Sequence, residues 1–156
     1  LFYVIGNVKR GIIKYLFFIQ GTCYAANHEV YDKIHVPIKK GVDSVLDSLG
    51  FEKNTTVELG RVNKVDPLGI TYLRIRGMWG IENPVKVFNY VAPVDQKAEF
   101  SVNVIMLKEK YLSFPERDRE NLEKLVGNKF FIKDIKIKSP NNPAKLLEAK
   151  LLSYSK

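Results

Sequence analysis

From Thr55 onward, apolar and polar residues alternate with a period of two. Val57 and Leu59 alternate with Thr56 and Glu58, and Ile70-Thr71-Tyr72-Leu73-Arg74-Ile75-Arg76 repeats the pattern after Asp66-Pro67-Leu68-Gly69. Proline and glycine at such a break suit a tight turn, so the segment predicts a hairpin. Further strands are predicted over 85–91 and 100–107, with a turn between Pro93 and Lys97. Pro115 then opens a charged stretch, Glu116 to Val126. Acids near its start and Gly127-Asn128 at its end predict a helix. Phe130 to Lys138 reads as a strand, followed by the turn Ser139-Pro140-Asn141-Asn142-Pro143. The tail 144–152 has helix-forming residues but also follows a turn as a returning strand does. Both readings stay open, the strand being preferred. Upstream, Ile38, Val42, Val45, Leu46 and Leu49 recur at helical spacing before Gly50. They predict a short helix over about 37–49, with Pro37 stopping any earlier one.

Helix, about four strands, helix, then one or two strands is an α+β order. It predicts a single β-rich domain over 54–156: a small antiparallel β-barrel or strongly curved sheet, similar to the oligonucleotide-binding (OB) barrel. One helix precedes its closing strands, and residues 26–53 form an N-terminal helical extension.

The first 25 residues have a different organisation. No Met precedes Met78. Val8-Lys9-Arg10-Gly11-Ile12-Ile13-Lys14 is cationic, Tyr15-Leu16-Phe17-Phe18-Ile19 is apolar, and Cys23-Tyr24-Ala25 places small residues two apart. A secretory signal peptide is built in that order, so residues 1–25 are expected to be a signal peptide cleaved after Ala25, or else a membrane anchor. The apolar run is too short to span a bilayer alone. The protein is therefore expected to be exported, periplasmic or secreted, and to lose Cys23, its one cysteine, on cleavage.

Charge adds a preference for partners. The chain of 156 residues carries a formal net charge of +8, falling to +5 once Lys9, Arg10 and Lys14 leave with the leader. Such an excess favours an anionic partner, whether nucleic acid, acidic protein or acidic lipid, although surface lysine also serves solubility alone. With 46% hydrophobic residues, extended disorder is excluded. No serine-histidine-acid set, glycine-rich phosphate loop or cysteine pair can be assembled.

Three constellations remain. His28, Asp32 and His35 would align on a helix as metal ligands. Cleavage after Ala25 would instead leave Ala26-Asn27-His28 as a terminus able to wrap Cu(II) in a square plane. Tyr72, Trp79, Phe88 and Tyr90 interleave with Arg74, Arg76 and Lys86, a composition suited to stacking bases over a basic face. Tyr72, Arg74, Arg76, Trp79 and Lys86 are its candidate ligand-binding residues. Lys133, Lys136 and Lys138 read as a solvated strand edge that discourages aggregation.

Two segments resemble staphylococcal-nuclease-like (thermonuclease) proteins. Arg74-Ile75-Arg76-Gly77-Met78 is similar to that family's R-x-R-G-I strand, and Asn121 to Val126, Lys129–Lys138 and Leu146-Leu147-Glu148-Ala149 resemble its helix, strand and closing strand. The resemblance implies an OB fold, calcium-dependent phosphodiester hydrolysis, and catalytic roles for Arg74 and Glu82. Trp79 and Gly80 occupy the family's aspartate and threonine positions, which puts the calcium site in doubt. The expected function is thus an exported, non-catalytic binding or assembly domain of a cell envelope or secretion apparatus, with no cofactor. The alternatives are a thermonuclease-like nuclease or degenerate relative using Ca2+, and a single-strand nucleic-acid-binding module.

Overall fold

The structure is a computed structural model that describes residues 1–50, 61–74 and 78–156, with backbone alone for 61–63, 73–74 and 78–79. The chain divides into two units. One contains residues 1–24, 83–139 and 143–156, and the other residues 25–82 and 140–142.

The first unit is a five-stranded sheet with short helices. β1 (Phe2–Lys9) and β2 (Ile12–Gln20) form a hairpin, and α1 (Gly21–Tyr24) follows directly. In the second unit come α2 (His28–Ser48), β3 (Arg61–Asn63), β4 (Thr71–Arg74) and β5 (Met78–Ile81). The chain re-enters the first unit through α3 (Pro84–Val87), β6 (Ser101–Leu107), α4 (Lys108–Leu112), α5 (Glu116–Lys124), β7 (Phe130–Lys138) and β8 (Leu146–Ser155). Strand order is β1-β2-β6-β8-β7, antiparallel throughout except for the parallel pair β2–β6.

Alternation sorts the side chains of this sheet. Phe17 and Ile19 on β2, Ile105 on β6, Ile135 and Ile137 on β7, and Ala149 and Leu151 on β8 are buried together on one face. Tyr24 and Phe88 extend that core, with ring centroids 5.7 Å apart. The opposite face is divided. Met106, Tyr111 and Leu152 form an apolar cluster joined by Phe114 and Leu122 from around α4 and α5. Farther along β7 and β8 the same face is charged and open.

Several sequence expectations need correction. The mixed α+β class holds, but the barrel does not. β1 and β7 lie at opposite ends of the sheet, and no pairing joins them among the described residues, so the sheet is open. The expected signal sequence is instead part of the sheet: residues 2–9 and 12–20 are strands paired with each other except at Lys14, and Phe17 and Ile19 are fully buried in the sheet core. No helix among the described residues is long and apolar enough to cross a membrane. Cys23 is likewise core, and burial pushes its thiol up to about 12, leaving it an unreactive thiol at neutral pH.

The strand expected over 85–91 is instead the helix α3. Asn83 accepts a hydrogen bond from the Val85 N–H at 2.9 Å and Pro84 occupies the first turn, so local capping overrides the alternation of Val85 and Val87. Pro37 does not stop a helix either. It sits inside α2, which runs as one 21-residue element. The tail is the strand β8, and Gly50 has the positive φ of 72° expected just past a helix end. The strand expected around Val57 and Leu59 and the candidate Arg76 lie outside the described residues.

Candidate active site on β7 and β8

Even-numbered residues of β7 and β8 share one face, open where it is charged, because Asp134 pairs in register with Lys150 and Lys136 with Glu148. Lys150 Nζ lies 3.2 Å from Asp134 Oδ1, and Lys108, the first residue of α4, brings its Nζ to 3.5 Å from the same oxygen. Lys136 Nζ is 3.4 Å from Glu148 Oε1. Asp134 and Glu148 are thus diagonal neighbours on an antiparallel ladder, roughly 7–8 Å apart by strand geometry. Two carboxylates and three ammonium groups converge on one patch of about four residues' width.

Lys150 is the fixed member. Its side chain is 17% exposed, against 50% for Asp134, and its ammonium sits 5.3 Å from the centre of the Tyr111 ring. The ammonium is thus held by both an aromatic ring and a carboxylate. Tyr111 in turn donates a hydrogen bond to Glu123 Oε1 at 3.5 Å. Burial chiefly, and the Glu123 carboxylate after it, hold the Tyr111 phenol above its ordinary pKa and keep it neutral. Exposed ion pairs contribute only about 0–1 kcal/mol, so stability gives weak reason to gather five charged groups here.

The Lys150 hydrogen bond, reinforced by the Lys150 and Lys108 charges, holds the Asp134 carboxyl below the ordinary aspartate range. Because the folded value is depressed, the pair stabilises the fold fully above the unfolded value of about 3.9. That contribution is lost as pH falls through the folded value. In Lys150→Met the Asp134 carboxyl is expected to titrate at higher pH than in the unsubstituted chain. A carboxyl-carbon NMR titration checks this, and an unchanged midpoint would refute the coupling.

The residues singled out from sequence are distributed differently. Tyr72 and Glu82, in the second unit, are joined by a 2.6 Å hydrogen bond in which the Tyr72 hydroxyl donates to Glu82 Oε2. Arg74 pairs in register with Met78, and Trp79 with Leu73, on β4 and β5. Lys86 belongs to α3 in the first unit. His28 stands at the start of α2, with Nε2 4.0 Å from Asp32 Oδ2 on an exposed surface. Among the described residues, no three His, Cys, Asp or Glu side chains gather as a metal site.

Residues 1–138 match the family profile described as NgoPII restriction endonuclease. This chain belongs to the NgoPII restriction endonuclease family. It is 44% identical over 155 residues to "Type II restriction enzyme NgoPII" of Neisseria gonorrhoeae, covering 99% of this chain and 54% of that protein. The chain therefore spans about half the length of this relative. No solved structure matches it.

Membership in the NgoPII family overturns the thermonuclease resemblance. It also overturns the exported, non-catalytic assembly domain and the expected secreted or periplasmic location. With cleavage after Ala25 withdrawn, the Cu(II) terminus at Ala26 loses its premise: the Ala26 N–H donates to the Tyr31 hydroxyl at 2.9 Å within a continuous chain. Sequence reasoning missed Asp134, Glu148 and Lys150 because the strands that carry them were read as structural. The available signal was an acid and a lysine two apart on one strand, preceded by an acid in the neighbouring strand.

Proposed function

We propose that the chain carries the cleavage site of a DNA endonuclease, and that Asp134, Glu148 and Lys150 form its chemical centre. The carrying observation is that register places both carboxylates on one open face, with Lys150 fixed 3.2 Å from Asp134. The family name supports a DNA substrate, and the net charge of +8 suits that polyanion.

The donor set favours one class of cation. Calcium takes six to eight oxygens, whereas magnesium is commonly held by one or two carboxylates, with waters and substrate phosphate oxygens completing its shell. Two neighbouring carboxylates fit the magnesium-like case. Asp134 and Glu148 would hold the ion, which when bound supplies Lewis-acid stabilisation of the phosphate and a more acidic water.

The chain's own residues supply the rest. Lys150 and Lys108 hold the Asp134 carboxyl below the ordinary aspartate range, so it stays charged to lower pH than a free aspartate. Lys150, anchored over Tyr111, presents an ammonium where negative charge builds on the phosphate oxygens as the P–O bond breaks. Lys136 and Lys138, farther along the same face of β7, suit contact with adjacent phosphates. Incubating duplex plasmid with the chain and magnesium tests the assignment. The unsubstituted chain is expected to cut, and Glu148→Gln to cut at least about a hundred-fold more slowly. Cutting at equal rates would remove Glu148 from the centre.

A further inference from the structure

The β1–β2 hairpin extends beyond the sheet. β6 pairs with β2 only from Tyr15 to Ile19, so residues 8–14 project past the third strand as a two-stranded ribbon. Its register shifts between Asn7 and Val8: Asn7 faces Tyr15 and Val8 faces Ile13, leaving Lys14 as the extra residue of a bulge. Bulges increase local twist and turn a ribbon away from its sheet. The apex is the two-residue turn Arg10-Gly11, with φ of 52° and 77°. Asparagine or aspartate is usual at the first of these positions, and arginine there places a cation at the tip despite an unfavourable backbone region.

The tip is both apolar and basic. Val8 is 65% and Ile12 62% exposed, and Lys9, Arg10 and Lys14 are exposed with no ion-pair partner among the described residues. The first acid in the sequence is Glu29. At the ribbon's base lies a recess of about 550 Å³ whose lining includes Asn7, Asn83, Asn89, Gln96 and Lys86. Asn83 is occupied, capping α3 and donating to the Tyr15 hydroxyl at 3.3 Å. The Asn7, Asn89 and Gln96 amides make no hydrogen bond to described residues.

We infer that this ribbon enters a groove of duplex DNA and that the amides at its base read base edges. The inference rests on the DNA reading above and assigns it a contact element separate from the β7–β8 face. Two strands about 4.8 Å apart fit the roughly 12 Å major groove, which admits a β-ribbon. Lys9, Arg10 and Lys14 reach flanking phosphates, an exposed apolar side chain on the groove-facing side of the ribbon offers contact to a thymine methyl, and a side-chain amide matches the paired donor and acceptor of adenine. An anionic membrane would also attract a basic, apolar tip, but it gives no use to an amide-lined recess.

The test measures binding of the full chain to a fluorescein-labelled random-sequence duplex across a potassium chloride series, beside the triple variant Lys9→Gln, Arg10→Asn, Lys14→Gln. Loss of three phosphate contacts is expected to flatten the slope of log K against log salt by about three. A thermal melt like that of the unsubstituted chain shows the variant is folded. In addition, Asn89→Ala is expected to reduce the preference between best and random sequences about ten-fold. An unchanged salt slope in the folded triple variant, while the unsubstituted chain binds, overturns the ribbon's role alone. Failure of the unsubstituted chain to bind duplex overturns the DNA reading together with it. Sedimentation with anionic vesicles that the triple variant abolishes, with duplex binding unaltered, assigns the tip to lipid instead.

Discussion

A Lys150→Met chain is expected to retain duplex DNA but to cut it about a hundred- to a thousand-fold more slowly than the unsubstituted chain, the scale for losing one preorganised charge at a reacting phosphate. Methionine keeps the length and apolar stem that pack beside Tyr111, where Lys150 is only 17% exposed, so the sheet should tolerate it. Removing the ammonium takes away both the charge proposed to face the phosphate and the hydrogen bond that holds the Asp134 carboxyl below the ordinary aspartate range. Lys108 remains 3.5 Å from Asp134 and would preserve part of the second effect but none of the first. Single-turnover cleavage beside equilibrium binding separates the two. A variant that cuts normally removes Lys150 from the chemistry, and one that neither binds nor folds shows a structural role.

The second large effect is expected on stability. Ile105→Ala should cost about 2–5 kcal/mol, because the side chain is fully buried at the middle of β6. β6 lies between β2 and β8, and Ile105 pairs in register with Ile19 on one side and Leu151 on the other, both also buried. A void there has no mobile edge to close it, so the loss should fall toward the upper part of that range. For a chain of this size the melting temperature would drop by roughly ten degrees or more. A melt lowered by no more than that of an exposed substitution such as Leu112→Ala would contradict the core described here.

Local pattern made much of the fold legible. Alternation located the strands at 101–107 and 130–138, and the charged stretch after Pro115 located α5, because burial on one face imposes period two or 3.6 directly. The errors came where pattern has two physical meanings. A cationic segment followed by an apolar one describes an export leader, but it equally describes a basic hairpin tip leading into a buried central strand, and Phe17 and Ile19 settle it by being fully buried. Val85 and Val87 alternate as a strand would, yet Asn83 and Pro84 start a helix. Open sheet and closed barrel share the same local alternation, since only pairing between distant edges distinguishes them.

The candidate site was less legible, for a related reason. Asp134 and Lys150 are 16 positions apart and meet only through the β7–β8 register, which one-residue slippage would undo. Sequence reasoning favoured Arg74 and Glu82 through a two-segment resemblance. The structure gives Glu82 a hydrogen bond with Tyr72, in the unit that does not contain the β7–β8 face.

The most direct test is cleavage against binding for Asp134→Asn, an isosteric change that removes one negative charge at the centre of the patch. With magnesium present, the variant is expected to hold duplex DNA at least as tightly as the unsubstituted chain while leaving it uncut. Cleavage by Asp134→Asn at the unsubstituted rate would contradict the placement of the active site on β7 and β8.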